Sequence, residues 1–143
     1  MSVTRPFHLA FPVDDLEAAR DFYGTVMGCP QGREDEGVWI DYDLYGHQIV
    51  AHLDPSHARP VQAENAVDGD AVPVPHFGVV LTIGQFEALR GRLEAREDTR
   101  WVIRPRVRFA GRPGEQHTMF LLDPSGNALE FKAFADDAQL FAT

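Results

Sequence analysis

The chain has 143 residues, 44% of them hydrophobic and 24% charged, and its formal net charge is −9 at pH 7. This length suffices for one compact domain or for two small halves with a common interface. The negative charge argues against nucleic acid as a partner. No apolar run approaches the roughly 20 residues of a membrane span and no signal-peptide pattern opens the chain, so we expect a cytoplasmic protein. The single Cys29 excludes a disulfide framework and a multi-thiolate metal site.

The first half of the chain predicts one helix among several strands. Short apolar or alternating segments are typical of strands. The helix follows a capping Asp14 or Asp15 and ends at Gly28, with its apolar residues at helical spacing. The predicted elements are a strand at 6–13, a helix at 16–27, and strands at 38–44 and 48–53.

The second half predicts a similar series after a segment without periodicity. Residues 54–74 are rich in Pro, Ala, Asp and Gly, which indicates a linker or a long functional loop. The turn-rich segment 123–127 joins two apolar runs, as in a β-hairpin. The predicted elements are a strand at 75–82, a helix at 85–96, a strand at 101–109, a hairpin over 116–132 and a tail at 135–143.

Five arginines form the only basic stripe of the sequence. Four of them share the even-numbered face of the strand predicted at 101–109 or its flanks, which is the pattern of a solvated face; a rim for an anionic substrate is the alternative. The five are Arg100, Arg104, Arg106, Arg108 and Arg112.

The two halves repeat one another. Residues 16–20 resemble residues 86–90, and residues 46–50 resemble residues 126–130. Each half also carries a histidine about one strand before its helix. Internal duplication at this length predicts an α+β fold made of two βαβββ modules. We place module one at 1–54, a linker at 55–74, module two at 75–134 and a C-terminal tail at 135–143.

Three residues of the duplicated pattern predict a metal site. Glu130 lies between Leu129 and Phe131 and so points to the opposite face of its strand, where a carboxylate is costly unless it is paired or binds a cation. His8 and His76 lie at equivalent points of the two modules. Two imidazoles and one carboxylate suit Fe²⁺, Mn²⁺ or a similar divalent ion. The alternative is that each histidine is a hydrogen-bonded core residue.

The sequence resembles the vicinal oxygen chelate superfamily, which includes glyoxalase I, extradiol dioxygenases, methylmalonyl-CoA epimerase and antibiotic-resistance proteins. The resemblance covers nearly the whole chain and rests on residues 7–24, 76–79 and 122–130. It implies paired βαβββ modules and a divalent metal. It does not fix the reaction, because this scaffold supports several chemistries.

The resemblance also implies roles for individual residues. Glyoxalases and epimerases usually take a fourth ligand, Glu or Gln, from the position that Val50 occupies here, and valine cannot ligate. The remaining three-ligand site resembles that of the extradiol dioxygenases, whose acid/base histidine matches His47; the alternative for His47 is a turn residue that caps backbone groups. Phe120 stands where those enzymes carry a tyrosine. A homodimer is also implied, since modules of this superfamily pair within a chain or across chains.

We therefore expect a metal-dependent, dioxygenase-like enzyme that chelates vicinal oxygens of a small substrate. A glyoxalase- or epimerase-like lyase or isomerase, with Ni²⁺ or Zn²⁺ possible, is the first alternative, and a metal-free drug-binding protein is the second. The predicted catalytic residue is His47. The predicted substrate-binding residues are His52, His117, Phe120 and Tyr42, and the predicted metal ligands are His8, His76 and Glu130. For His52 the alternatives are a fourth metal ligand or a solvated residue at the strand end, and for Tyr42 the alternative is a core aromatic.

Overall fold

A computed structural model describes residues 4–57, 63–67 and 70–143. The chain divides into two compact units, Met1–Pro60 and Val61–Thr143. Each unit has its own four-stranded sheet. Within the described ranges, no helix is long and apolar enough to cross a membrane.

The first unit is a βαβββ module. Its strands are β1 (His8–Val13), β2 (Gln31–Asp35), β3 (Trp39–Leu44) and β4 (His47–Leu53). They are arranged in the order β1-β4-β3-β2, with β1 parallel to β4 and the other pairs antiparallel. Strands β1, β3 and β4 were predicted from the sequence; β2 was not, because it has no apolar side chain and all of its residues are exposed.

The helix of the first unit, α1, changes its winding along its length. It is α-helical over Leu16–Ala19 and continues as a π-helix over Arg20–Val26. The Asp15 side chain accepts a hydrogen bond from the Ala18 backbone N–H at 3.0 Å and so caps the first turn. Gly28 follows with φ 75°, a left-handed conformation that glycine adopts without strain. The predicted helix is therefore confirmed in position, but its wider winding was not predicted.

The two faces of the first sheet differ in character. Residues such as Phe11, Ile49 and Tyr42 are buried on the face that packs against α1. Because side chains alternate along a strand, His8 and Gln48 lie on the opposite face, together with the residues that pair with them on the neighbouring strands. The polar residues of the predicted site therefore belong to the face that α1 does not cover.

The second unit contains the same module and an additional hairpin. The elements of the module are β7 (Val80–Leu81), α2 (Ile83–Glu94), β8 (Arg100–Arg108), β9 (Gln116–Leu122) and β10 (Ala128–Ala133). The sheet order is β7-β10-β9-β8. Helix α2 begins with a capping box in which Thr82 and Gln85 exchange side-chain-to-backbone hydrogen bonds of 3.1 and 3.0 Å. A short 3₁₀ helix, Asp137–Phe141, lies in the predicted tail.

A β-hairpin occupies part of the segment that was predicted as a linker. Its strands β5 (Ala63–Val67) and β6 (Asp70–Val74) pair antiparallel. Val72 is 2% exposed and packs with Phe120 and Ala128 of the module's sheet. The hairpin thus covers the sheet face of the second unit that also carries Glu130, because Phe120 pairs with Glu130 across β9 and β10.

The basic stripe of β8 is not a uniformly solvated face, which corrects the prediction. Arg108 is only 1% exposed, and its Nη1 donates to the Val67 carbonyl oxygen at 3.2 Å. Arg106 forms an ion pair of 2.8 Å with Asp70. The register of β8 against β9 shifts twice, so simple even–odd alternation does not hold along the strand.

The strand registers confirm the predicted duplication and the two βαβββ modules. Leu9 pairs in parallel with Ile49, and Phe77 forms the corresponding parallel bridge with Leu129. Each histidine precedes the first member of its pair by one residue. The registers therefore make Val50 the structural equivalent of Glu130.

Candidate metal centre

The ring of His76 is held through its Nδ1 atom. This atom lies 2.7 Å from the backbone carbonyl oxygen of Pro73, at the end of the β5–β6 hairpin. A carbonyl oxygen can only accept a hydrogen bond, so Nδ1 carries the hydrogen. In the neutral ring the lone pair therefore lies on Nε2. The Phe120 ring packs edge-on against the imidazole at a centroid distance of 4.8 Å and further restricts it.

The free nitrogen of His76 faces Glu130. The distance from Nε2 to Glu130 Oε1 is 3.5 Å, and the Glu130 side chain is 9% exposed. The other carboxylate oxygen, Oε2, accepts a hydrogen bond of 2.7 Å from the Thr118 hydroxyl. With neutral His76, a nitrogen lone pair and a carboxylate oxygen converge with no hydrogen between them. This arrangement suits a cation that is bound by both atoms.

The backbone of Glu130 is fixed by close contact with the chain around His76. The Glu130 N–H donates to the Phe77 carbonyl oxygen at 2.9 Å, and the Phe77 N–H donates to the Ala128 carbonyl oxygen at 3.1 Å. Gly78 lies so close that a Cβ atom there would overlap the Glu130 carbonyl group. The glycine therefore permits the approach that brings His76 and Glu130 together.

His8 is anchored within the first unit. Its Nδ1 lies 2.8 Å from the side-chain oxygen of Gln48, its register partner on β4. The Nδ1 atom of His8 thus has a polar partner, just as the Nδ1 atom of His76 has the Pro73 carbonyl oxygen. In the described ranges, no group of three or more His, Cys, Asp or Glu side chains is arranged to hold a metal ion. The part of the predicted ligand set that the structure brings together is the pair His76 and Glu130.

His47 has the capping contact that the sequence analysis left open as an alternative. Its Nδ1 accepts a hydrogen bond of 2.8 Å from the backbone N–H of Phe7. The neutral ring therefore carries its hydrogen on Nε2 and can donate a hydrogen bond from there. It can accept a proton only at Nδ1, after the hydrogen bond to Phe7 is broken.

Two of the four predicted substrate-binding residues lie on the same sheet face as a candidate ligand, and the other two lie on the faces that pack against the helices. His52 is exposed on the same face as His8, while Phe120 is buried on the same face as Glu130. Tyr42 and His117 lie on the opposite, helix-packed faces. Tyr42 packs against the Tyr23 ring of α1 at 5.6 Å, and His117 lies 6.1 Å from the Phe86 ring of α2.

The placement of Tyr42 and His117 differs from the prediction for a simple physical reason. Both residues alternate with residues of the polar face along their strands, and an aromatic side chain gains more from the apolar helix contact than from the polar face. The alternation of side chains along the predicted strands, counted relative to Val50 and Glu130, would have predicted the faces on which they lie.

Four groups that hold the candidate ligands were missed by the sequence analysis. They are the Thr118 hydroxyl, the Pro73 carbonyl, the Gln48 amide and the Asp41 carboxylate. Thr118 could have been found, because it lies on the same face of the predicted hairpin as Glu130. The Pro73 carbonyl could not, because it depends on the unpredicted β5–β6 hairpin.

Two βαβββ units, with the His76 imidazole facing the Glu130 carboxylate of β10 in the second, define the glyoxalase-like class of proteins. The chain belongs to the Glyoxalase/Bleomycin resistance protein/Dioxygenase superfamily, whose family model matches residues 5–131. The search of the curated proteins gives no match.

Solved structures agree with this assignment. A glyoxalase/bleomycin resistance protein/dioxygenase from Alicyclobacillus acidocaldarius is 34% identical, with a TM-score of 0.78 and coverage of 96% of this chain and 97% of that one. Lactoylglutathione lyase from Agrobacterium tumefaciens is 18% identical, with a TM-score of 0.64 and coverage of 99% and 98%. The fosfomycin resistance protein FosX from Listeria monocytogenes is 12% identical, with a TM-score of 0.67 and coverage of 97% and 100%. The last two are similar in fold alone.

Proposed function

We propose that the protein is a metal-dependent, dioxygenase-like enzyme that chelates vicinal oxygens of a small substrate. In this proposal His8, His76 and Glu130 hold the divalent metal ion, with Fe²⁺ or Mn²⁺ favoured. The observation that carries the proposal is the 3.5 Å approach of His76 Nε2 to Glu130 Oε1, with the remaining nitrogen and oxygen of the two side chains already hydrogen-bonded. Such outer hydrogen bonds are what orient metal ligands in proteins.

The residue at position 50 favours the dioxygenase-like chemistry over the lyase or isomerase chemistry. Val50 is the structural equivalent of Glu130, and its aliphatic side chain offers no ligand atom. A metal held by three protein groups keeps more coordination positions open than one held by four. Those positions suit a substrate that binds through two oxygens together with O₂.

The bound metal would act as a Lewis acid that lowers the energy of negative charge on the substrate oxygens. The protein's own residues supply the remaining functions. Lys132 Nζ lies 4.0 Å from Glu130 Oε1 and adds positive charge beside the ligands, which favours an anionic substrate oxygen. His47 is the proposed proton carrier: its Nδ1 would take a proton from a substrate oxygen once the hydrogen bond from the Phe7 N–H is broken, and the resulting imidazolium would return a proton.

Metal content is the first test of this proposal. Protein purified without added metal is analysed for iron, manganese, nickel and zinc in wild type, in Glu130→Ala and in the control Glu87→Ala. Glu87 lies on α2 with its side chain 51% exposed. We expect stoichiometric iron or manganese in wild type and in the control, and loss of tight binding in Glu130→Ala. Stoichiometric metal retained by Glu130→Ala would refute the ligand assignment.

Oxygen consumption separates the proposed reaction from the alternatives. Catecholic and other vicinal-oxygen compounds are tested as substrates with and without O₂. A dioxygenase consumes oxygen in proportion to product and stops under anaerobic conditions. Full turnover without oxygen would favour the lyase or isomerase. Ligand-dependent thermal stabilisation that a chelator does not change would instead favour the metal-free binding protein.

We also propose that the protein forms a homodimer. The edge strand β2 is exposed along its whole length, and a second chain can cover an exposed strand edge by pairing with it. Light scattering should then give twice the chain mass of 16.0 kDa.

A further inference from the structure

A line of three polar side chains runs across the first sheet from β3 to β1. His8 Nδ1 lies 2.8 Å from Gln48 Oε1, and Gln48 Nε2 donates to Asp41 Oδ2 at 3.3 Å. We propose that Asp41 and Gln48 are positioning residues that hold the neutral His8 ring in the tautomer with hydrogen on Nδ1. The lone pair then lies on Nε2, the nitrogen that would bind the metal.

The Asp41 carboxylate can only accept hydrogen bonds. The side chain of Gln48 has one accepting end, its oxygen, and one donating end, its NH₂ group. Only the NH₂ group can satisfy the Asp41 carboxylate. The reversed amide would place its oxygen against a carboxylate oxygen, with no hydrogen between them. Asp41 therefore fixes which end of Gln48 faces the histidine.

The orientation of Gln48 then determines the hydrogen of His8. The amide oxygen of Gln48 faces Nδ1 and can only accept, so Nδ1 must carry the hydrogen. In a free neutral imidazole both tautomers are populated, and only one presents an Nε2 lone pair. Removing the wrong tautomer removes a population that cannot bind a metal through Nε2, and this raises the effective affinity.

The surroundings of Asp41 keep its direction fixed. The residue is 8% exposed and pairs with Val50 across β3 and β4. Gly32 of β2 packs against it, since a Cβ atom at Gly32 would lie 3.2 Å from Asp41 Cβ. The Arg33 guanidinium is 3.8 Å away but is itself 83% exposed, so it adds little to the orientation. A buried carboxylate that is held in one direction can select the orientation of the Gln48 amide.

The second unit achieves the same result with different groups. There the Pro73 carbonyl oxygen places the hydrogen of His76 on Nδ1, and the Thr118 hydroxyl fixes one oxygen of Glu130. Both histidines therefore present Nε2 as the free nitrogen, although one is held by a side-chain amide and the other by a backbone carbonyl. Two different contacts thus select the same tautomer, which supports a common role in positioning the two histidine rings.

The tautomer can be measured in metal-free protein by ¹⁵N NMR of the histidine rings, because protonated and unprotonated ring nitrogens differ strongly in chemical shift. The measurement is made well above the ordinary histidine pKa of about 6.5 so that the rings are neutral. A His8→Asn spectrum assigns the signals of His8. We expect a protonated Nδ1 and an unprotonated Nε2 in wild type.

The variants are Asp41→Asn and Gln48→Met, with Arg33→Gln as the matched control. Asparagine can donate as well as accept, so Asp41→Asn frees the amide of Gln48 to reverse. Gln48→Met keeps the length of the side chain but removes both polar ends. We expect both variants to show a mixture of His8 tautomers and the control to resemble wild type. Circular dichroism confirms that each variant is folded; Gln48→Met, at an exposed position, keeps the test open if Asp41→Asn does not fold.

The metal part of this inference rests on the proposed function and is tested separately. Titration with Mn²⁺ should show binding about 10–100-fold weaker in the two variants than in wild type, as is usual for groups that orient metal ligands. A wild-type His8 that populates both tautomers overturns the inference, whatever the metal affinity. An ordered tautomer in a wild-type protein that binds no divalent metal overturns the proposed function instead.

Discussion

The hydroxyl group of Tyr42 is a buried polar group in an apolar environment. Tyr42 is 1% exposed, and its oxygen has no hydrogen-bond partner within the described chain. Burial raises the pKa of its phenol to about 12. A buried hydroxyl without a partner costs about 1–3 kcal/mol relative to a paired one. The residue therefore contributes packing through its ring, while its oxygen opposes folding.

Replacing Tyr42 with Phe should stabilise the protein by about 1 kcal/mol at neutral pH, because the ring remains and the unpaired hydroxyl is removed. Urea unfolding at pH 7 measures this change, and a loss of stability would show that the hydroxyl has a stabilising partner. Wild type should also lose about 2–3 kcal/mol as the pH rises from about 10 to 12, since the phenol ionises first in the unfolded chain. Tyr42→Phe should lack this alkaline loss.

The sequence allowed the candidate ligands to be predicted but not the groups that hold them. Glu130 was identified because its position within an apolar strand requires an explanation, and His76 because it occurs at an equivalent point of the repeat. Asp41 and Gln48 are ordinary polar residues on a strand. Their connection depends on side-chain orientation across three strands, which no periodicity in the sequence reports.

At the scale of secondary structure, the approach of Gly78 to β10 determines where Glu130 lies. Gly78 follows the isolated bridge between Phe77 and Leu129, and a Cβ atom at this position would overlap the Glu130 carbonyl group. The obstacle is backbone, which cannot move aside as a flexible side chain can. Residue 78 therefore has to be glycine for the two candidate ligands, His76 and Glu130, to approach each other.

Gly78→Ala should destabilise the second unit and displace Glu130 from His76. We expect a loss of at least about 2 kcal/mol in urea unfolding, since strain of this kind is comparable to overpacking a core. The matched control is Gly91→Ala in α2, where an added Cβ meets no atom within 4 Å. That change should stabilise by about 0.5–1 kcal/mol, because alanine favours a helix interior. Equal effects at the two positions would contradict the assigned role of Gly78.

The elements that the sequence analysis missed lack a hydrophobic pattern of their own. Strand β2 has no apolar side chain, and it joins the sheet only through its pairing with β3. The β5–β6 hairpin contains Pro73 within a strand, a residue that usually argues against a strand assignment. Both elements are formed by tertiary contacts, whereas the elements that were predicted carry a clear period of two or of 3.6 residues.

At the scale of the whole molecule, the carboxylates determine the response to acid. The hydrogen bond and charge of Arg20 lower the pKa of Glu34 below its ordinary value of 4.5, and the hydrogen bond of Arg96 lowers the pKa of Asp98 below 3.8. A carboxylate whose pKa is lowered by folding stabilises the protein above its unfolded pKa. That contribution is lost as the pH falls through the folded pKa.

Stability should therefore fall on acidification from about pH 5, and Arg20→Gln should reduce the part of the loss that comes from Glu34. Urea midpoints measured between pH 7 and pH 3 give the comparison. The control Arg104→Gln changes a guanidinium that lies over the Trp101 ring at 6.0 Å. It should leave the slope of stability against pH unchanged. An unaltered slope in Arg20→Gln would show that the Glu34 pair contributes nothing to acid sensitivity.

The hairpin formed by β5 and β6 has a practical consequence for dividing this protein. A fragment cut at residue 75, where the repeat begins, would contain His76 and Glu130 but would lack the carbonyl acceptor at Pro73 and the Val72 side chain that shields Phe120. Its imidazole would be free to rotate and its sheet would be open to aggregation. A fragment that keeps these contacts must start ahead of Ala63, so it is longer than the duplicated motif itself.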